Sequence, residues 1–276
     1  MDRLIPHQAT HRTSDLTSES SSNETKAQTA RWYAEMMIKD FFSEELKLSG
    51  EKYKKSSLGD LISILDGKVD QELINALNII KNIGDKASHY DPDVKLSKSD
   101  SEKAVQTAFD LFALIIIDHL RKNPLNTHPD SATLLSTTLP KIRLKIITAL
   151  IDFDNLDTEY QISLLHKWCL ACVKSGGREK VRRKLHDLLK KGKIPEWIHD
   201  FETRSINEIA LRMSKNELPI AKVHEDFARN LNDVLSKLSP DSKKTNAKLI
   251  SILDRMVKNI QASELGELQG MQIFSV

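Results

Sequence analysis

The stretch "NALNIIKNIGDKASHYDP", Asn75 to Pro92, decides the fold of the N-terminal half. Leu73, Leu77, Ile80, Gly84 and Ala87 recur at three-and-four spacing, so they share one face of a helix over 71–88. That face shrinks from leucine and isoleucine to glycine and alanine just where polar groups gather. A glycine inside a helix costs about 1 kcal/mol relative to alanine. A close helix crossing, a bound ligand or a helix end would each offset that cost.

Working outward, the same periodicity predicts an all-α protein. A helix is expected over 24–46, with Ala27, Ala30, Ala34, Met37 and Phe41 as its stripe. "KKSSLGDLISIL" predicts a short helix to Leu65, with Ser56 or Ser57 as N-cap. After the breaking segment "HYDPDVKLSKS", "SDSE" reads as a capping box of Ser99 and Glu102, opening a helix to about Arg121. "TSDLTSESSSNET" shows no apolar face, so residues 1–25 are expected to be a disordered tail. Pro124 and Pro129 mark a linker over 124–131 between a bundle at 26–123 and a C-terminal all-α domain at 132–276. Within that domain, helices are expected over 132–152, 158–175, 177–191, 195–212, 219–238 and 241–263.

Bulk composition narrows the class. The chain has 276 residues, 39% of them hydrophobic and 29% charged, an ordinary globular balance. Only 9 glycines and 8 prolines favour long helices over many short strands. No glycine-rich phosphate loop follows a strand pattern, which removes nucleotide-binding readings of that kind. No apolar run approaches the roughly 18 residues a membrane span needs, and the N-terminus has no signal-peptide apolar region. The expectation is a cytoplasmic protein without a membrane partner.

Lys81, Asp85 and His89 are spaced by four and so fall along one stripe of the 71–88 helix. A carboxylate beside a histidine orients its ring, and a cation one turn back adds a phosphate ligand. The same spacing also describes an ordinary surface ion pair worth a few tenths of a kcal/mol.

The segment from Ala30 to Leu120 resembles a HEPN-like helical domain, in a bacterial branch of unknown function. "ARWYAEMMIKDFF" resembles its first helix, "SLGDLISIL" its second, and "IIKNIGDKASH" its hallmark Ile-Arg-x-x-Gly-Asn-x-x-x-His. "DSEKAVQTAFDLF" fits the last helix. The resemblance implies a four-helix bundle that dimerises and handles RNA without a metal, in a defence or toxin-type system. It implies catalytic roles for His89, with Asp85 as the motif's polar residue and Lys81 as the nearby cation. Active members carry an arginine where this chain has Gly84, and lysine lacks arginine's planar fork. A missing charge-stabilising donor costs about a hundredfold or more in rate, so the motif implies weak or absent cleavage. Gly84 and Ala87 are then expected to admit a partner helix, that of a second copy.

Two other groups stand out. Cys169 and Cys172 in "HKWCLAC" fall late in a helical pattern, where the dipole disfavours thiolate, and are expected to be core. No second cluster of metal ligands accompanies them, and no metal or cofactor is expected. "KSGGREKVRRKLHDLLKKGK" is the densest basic stretch, and its Lys174, Arg178, Lys180, Arg182, Arg183, Lys184, Lys190 and Lys191 suit a nucleic-acid backbone. Its apolar stripe of Val181, Leu185, Leu188 and Leu189 equally suits a solvated helix over a core. Trp168 and Trp197 offer stacking surfaces, with core packing the commoner use. Two functions are therefore expected: a dimeric RNA-binding protein with a degenerate ribonuclease-like site, or a helical dimerisation adaptor that engages a protein through its C-terminal domain.

Overall fold

In the computed structural model, residues 5–88, 95–218 and 220–257 are described, and they form fifteen α-helices and no strand. They divide into an N-terminal unit up to His119, rejoined by residues 254–257, and a C-terminal unit from Leu120 to Leu253. The division falls inside a helix, a few residues before the expected 124–131 linker.

The N-terminal unit holds α1 (Thr13–Thr17), α2 (Asn23–Phe41), α3 (Ser43–Leu46), α4 (Gly50–Lys55), α5 (Leu58–Leu65), α6 (Gln71–Ser88) and most of α7 (Lys98–Lys122). Its core forms where α2 lies along α6 and α5. Tyr33, Met37, Leu58, Leu61, Leu73, Leu77 and Ile80 are almost wholly buried there. Leu111 and Phe112 of α7 are buried as well, and Phe109 meets Tyr33 edge-on at 6.0 Å between ring centroids. Ser57 caps α5 through a reciprocal box with Asp60: the Asp60 amide donates to Ser57 Oγ at 3.3 Å, and the Ser57 amide donates to the Asp60 carboxylate at 2.9 Å.

Three sequence expectations are corrected here. Residues 1–25 are not a bare tail: a 3-10 helix at His7–Arg12 runs into α1, and Ile5, Ala9, Thr13 and Leu16 are buried. Those four recur at helical spacing, a stripe one residue wide that is easily lost among serines and charges. Arg12 lies over Trp32 of α2, 4.8 Å from the ring centroid, and fastens the segment. The helix expected over 24–46 breaks at Phe42, giving α2 and α3. Finally, α7 starts earlier than "SDSE" suggests. Ser97 is the cap, its Oγ accepting from the Asp100 amide at 3.1 Å and donating to the Asp100 carboxylate at 2.6 Å. The same Ser-x-x-acid pattern occurs two residues upstream of the expected one, and that copy wins.

The C-terminal unit comprises α8 (Ser131–Ser136), α9 (Pro140–Leu150), α10 (Glu159–Lys174), α11 (Arg178–Lys190), α12 (Glu196–Ser214), α13 (His224–Lys237), α14 (Pro240–Thr245) and most of α15 (Ala247–Arg255). Pro140 splits the helix expected over 132–152, because the residue before a proline, Leu139, is driven to extended geometry. Helix α10 is central and packs on α9, α11 and α12. The expected linker is pinned rather than free. The Pro129 carbonyl accepts from Asn246 Nδ2 at 2.8 Å, Asp130 from Ser242 at 2.7 Å, and Ser131 donates to Asn246 Oδ1 at 2.6 Å. Buried polar groups so satisfied fix one arrangement of the turn.

Candidate functional site

Helix α6 runs from Gln71 to Ser88, as its periodicity predicts, and Gly84 lies at its crossing with α2. A Cβ built on Gly84 would stand 2.7 Å from Arg31 Cβ, 3.0 Å from Arg31 Cδ and 3.3 Å from the Ala27 carbonyl oxygen. Glycine is therefore required by a close approach. The neighbour is helix α2 of the same chain, not the second copy that the sequence suggests.

The crossing delivers a cation. Arg31 Nη1 pairs with Asp85 Oδ1 at 2.7 Å, and Lys81 Nζ pairs with Asp85 Oδ2 at 2.8 Å. The three side chains are a quarter to a third exposed. Gln28 Nε2 donates to the Ala87 carbonyl at 2.7 Å, and Ser88 Oγ donates to the Gly84 carbonyl at 2.9 Å, so α2 also closes the C-terminal turn of α6. Sequence spacing brings Lys81 to Asp85 but misses Arg31, which belongs to the "ARWYAEMM" segment far away in the chain. A guanidinium from α2 thus reaches Asp85, the residue after Gly84. Its charge, like that of Lys81, is directed at Asp85. His89 lies outside the described residues.

Helix α11 carries the predicted basic stretch on its solvent side. Val181, Leu185 and Leu188 are buried, whereas Lys180, Arg182, Arg183, Lys190 and Lys191 are exposed. Not all the charge is free. Arg182 pairs with Glu179 at 3.3 Å and Lys191 with Asp187 at 2.9 Å. The exposed Arg178 donates to Asn207 Oδ1 at 2.7 Å, and Lys184 lies over Phe153, 4.1 Å from the ring centroid. Lys180, Arg183 and Lys190 have no carboxylate partner among the described residues. Their spacing of three and then seven residues aligns them along one stripe spanning about 15 Å. Lys174 stands apart from this stripe. It ends α10 and lines a cavity with Arg143, and burial together with the Arg143 and Arg212 charges pushes its pKa down.

Two tryptophans expected in the core part company. Trp168 is buried, donates from Nε1 to Thr148 Oγ1 at 3.1 Å and meets Phe153 edge-on. Trp197 is 67% exposed, and Phe201, one turn on, is 47% exposed. Both lie on α12, which packs against α11 and begins six residues after α11 ends. Phe201 meets the His166 ring of α10 at 5.6 Å between centroids. The helix that packs on the cationic one thus carries exposed aromatic rings, which the sequence left unweighted because a tryptophan alone does not announce its exposure.

Cys169 and Cys172 are free and buried. Burial pushes both thiols up, helped at Cys169 by the Glu202 carboxylate, which opposes redox or metal chemistry at the pair. Among the described residues no cluster of histidine, cysteine and carboxylate groups is arranged to hold a metal ion. Comparison with protein-family models, curated proteins and solved structures finds no match to this chain.

Proposed function

We propose that this protein binds single-stranded RNA through the outer face of α11 and the adjoining rings of α12, without depending on cleavage. The observation that carries the reading is the exposed stripe of Lys180, Arg183 and Lys190, which forms no ion pair with a carboxylate among the described residues, on a helix packed against α12, where Trp197 and Phe201 are exposed. Cations without internal partners are available to phosphates, and flat exposed rings stack on bases of any identity. The N-terminal unit is read as the HEPN-like bundle of a defence or toxin-type protein, with a degenerate site. Supporting a non-catalytic role, both Asp85 oxygens are engaged by Arg31 and Lys81, so neither cation is unpaired. The proposed substrate contact therefore rests on the C-terminal unit.

Fluorescence anisotropy with a labelled oligouridylate tests this. Combining Lys180→Glu, Arg183→Glu and Lys190→Glu is expected to weaken binding at least tenfold, about 1.4 kcal/mol. The log-log salt slope should flatten by about 0.7 for each phosphate that the variant no longer neutralises. Trp197→Ala should cost a further ~1–3 kcal/mol if its ring stacks on a base. Equal affinity in the triple variant refutes the reading. The adaptor alternative draws on the same α12 stripe, where Leu211 is also 55% exposed. It predicts self-association or capture of a helix, lost in Trp197→Ala and insensitive to the charge reversals.

A further inference from the structure

The C-terminal unit contains a second basic locus, independent of the α11 face. Two adjoining lobes, of about 300 and 270 Å³, share Ser136, Arg143 and Lys174 in their walls. The geometry points to a binding site for a small organic phosphate, its phosphoryl group held by Arg143 and Lys174 and its apolar part seated against Leu135, Ile147 or Val234.

Two cations converge here with nothing to neutralise them. Arg143 Nη1 donates to the Ser136 carbonyl at 2.6 Å, but its Nε is buried without a partner. Neither Arg143 nor Lys174 forms an ion pair among the described residues. Asp233 lies in the wall of the second lobe, yet it pairs with neither. Burial pushes the Arg143 guanidinium down to about 10, and Lys174 is lowered by burial and by two like charges, Arg143 and Arg212. Bringing unpaired cations together out of water is unfavourable unless an anion completes the site. A phosphate dianion matches two cations at once, and arginine's fork and lysine's point charge are the two common ways of holding one. The volumes fall at the small end of ligand pockets, which suits one ring or a short chain beside the phosphate.

The α10 face that carries Lys174 also carries a positioned imidazole. His166 lines the first lobe, and its Nδ1 is 3.0 and 3.1 Å from the two oxygens of Glu202, a carboxylate only 1% exposed. A buried carboxylate on one ring nitrogen fixes the orientation of the imidazole, leaving the other nitrogen to the surroundings.

Isothermal titration of the full chain with phenyl phosphate, inorganic phosphate and benzoate tests the site. Phenyl phosphate is expected to bind at least tenfold more tightly than either of the others, since only it supplies both the dianion and the apolar body. Lys174→Met should weaken it at least tenfold while leaving the melting temperature of the free protein equal or higher, because an unneutralised charge has been removed. Arg143→Met should act in the same direction on binding. The triple charge reversal on α11 should leave phenyl phosphate affinity unchanged, which separates this site from the RNA face. Absence of phenyl phosphate binding, or equal affinity in Lys174→Met, overturns the proposal. Benzoate binding as tightly as phenyl phosphate overturns the assignment to phosphate.

Discussion

Gly84→Leu is expected to be severely destabilising to the N-terminal unit, by about 3 kcal/mol or more, through overpacking of the α2–α6 crossing. For a unit of this size that corresponds to a fall of roughly 10–20 °C in the melting transition. Direction can be decided from the smallest variant. In an exposed helix, Gly→Ala adds about 1 kcal/mol of stability. Here the added Cβ would meet Arg31 Cβ at 2.7 Å, and that atom is fixed to the α2 backbone and cannot rotate away. The Ala27 carbonyl, also backbone, closes the other side at 3.3 Å. Gly84→Ala should therefore lower stability despite its better helix propensity, and calorimetry of the full chain reads the sign. A stabilised Gly84→Ala would mean that α2 does not cross α6 at this point. Gly84→Arg would overfill the same space.

Trp168→Ala should cost the C-terminal unit about 3–5 kcal/mol, the range for removing a large buried aromatic side chain. Three losses combine. The ring is only 3% exposed, so its removal leaves a cavity between α10 and α9. Its edge-on packing against Phe153, at 5.2 Å between centroids, disappears. Thr148 Oγ1 loses the indole N–H that donates to it. Chemical denaturation followed by far-UV circular dichroism measures the effect. Trp197→Ala is the internal comparison, because that ring is exposed and its removal should change stability by less than about 0.5 kcal/mol. Similar losses from the two tryptophans would contradict the burial assigned to each.

How much of this was legible in the sequence depended on the range of the interaction. The span of α6 and the Ser57 cap of α5 are local, set by 3.6-residue periodicity and a four-residue box, and both stand where the sequence places them. Pro140 carried a readable stop that the apolar pattern around it overrode. The stripe of Ile5, Ala9, Thr13 and Leu16 was too thin to register against a serine-rich background. Arg31 on Asp85 could not be read at all from spacing, because the two residues meet only after α2 packs on α6. Gly84 held the one local hint of that meeting, a glycine in a helix that had no local use for it. Lys174 and Arg143 show the same limit. A run of basic residues does not reveal which cations face solvent and which turn into a cavity.

Ultraviolet crosslinking of the full chain to an oligouridylate, with the modified peptides located by mass spectrometry, tests the RNA-binding account most directly. The expected result is crosslinking within residues 178–201, concentrated at Trp197 and Phe201, and suppressed when Lys180, Arg183 and Lys190 are replaced by glutamate. Crosslinks confined to other segments, or unchanged by those replacements, would contradict it.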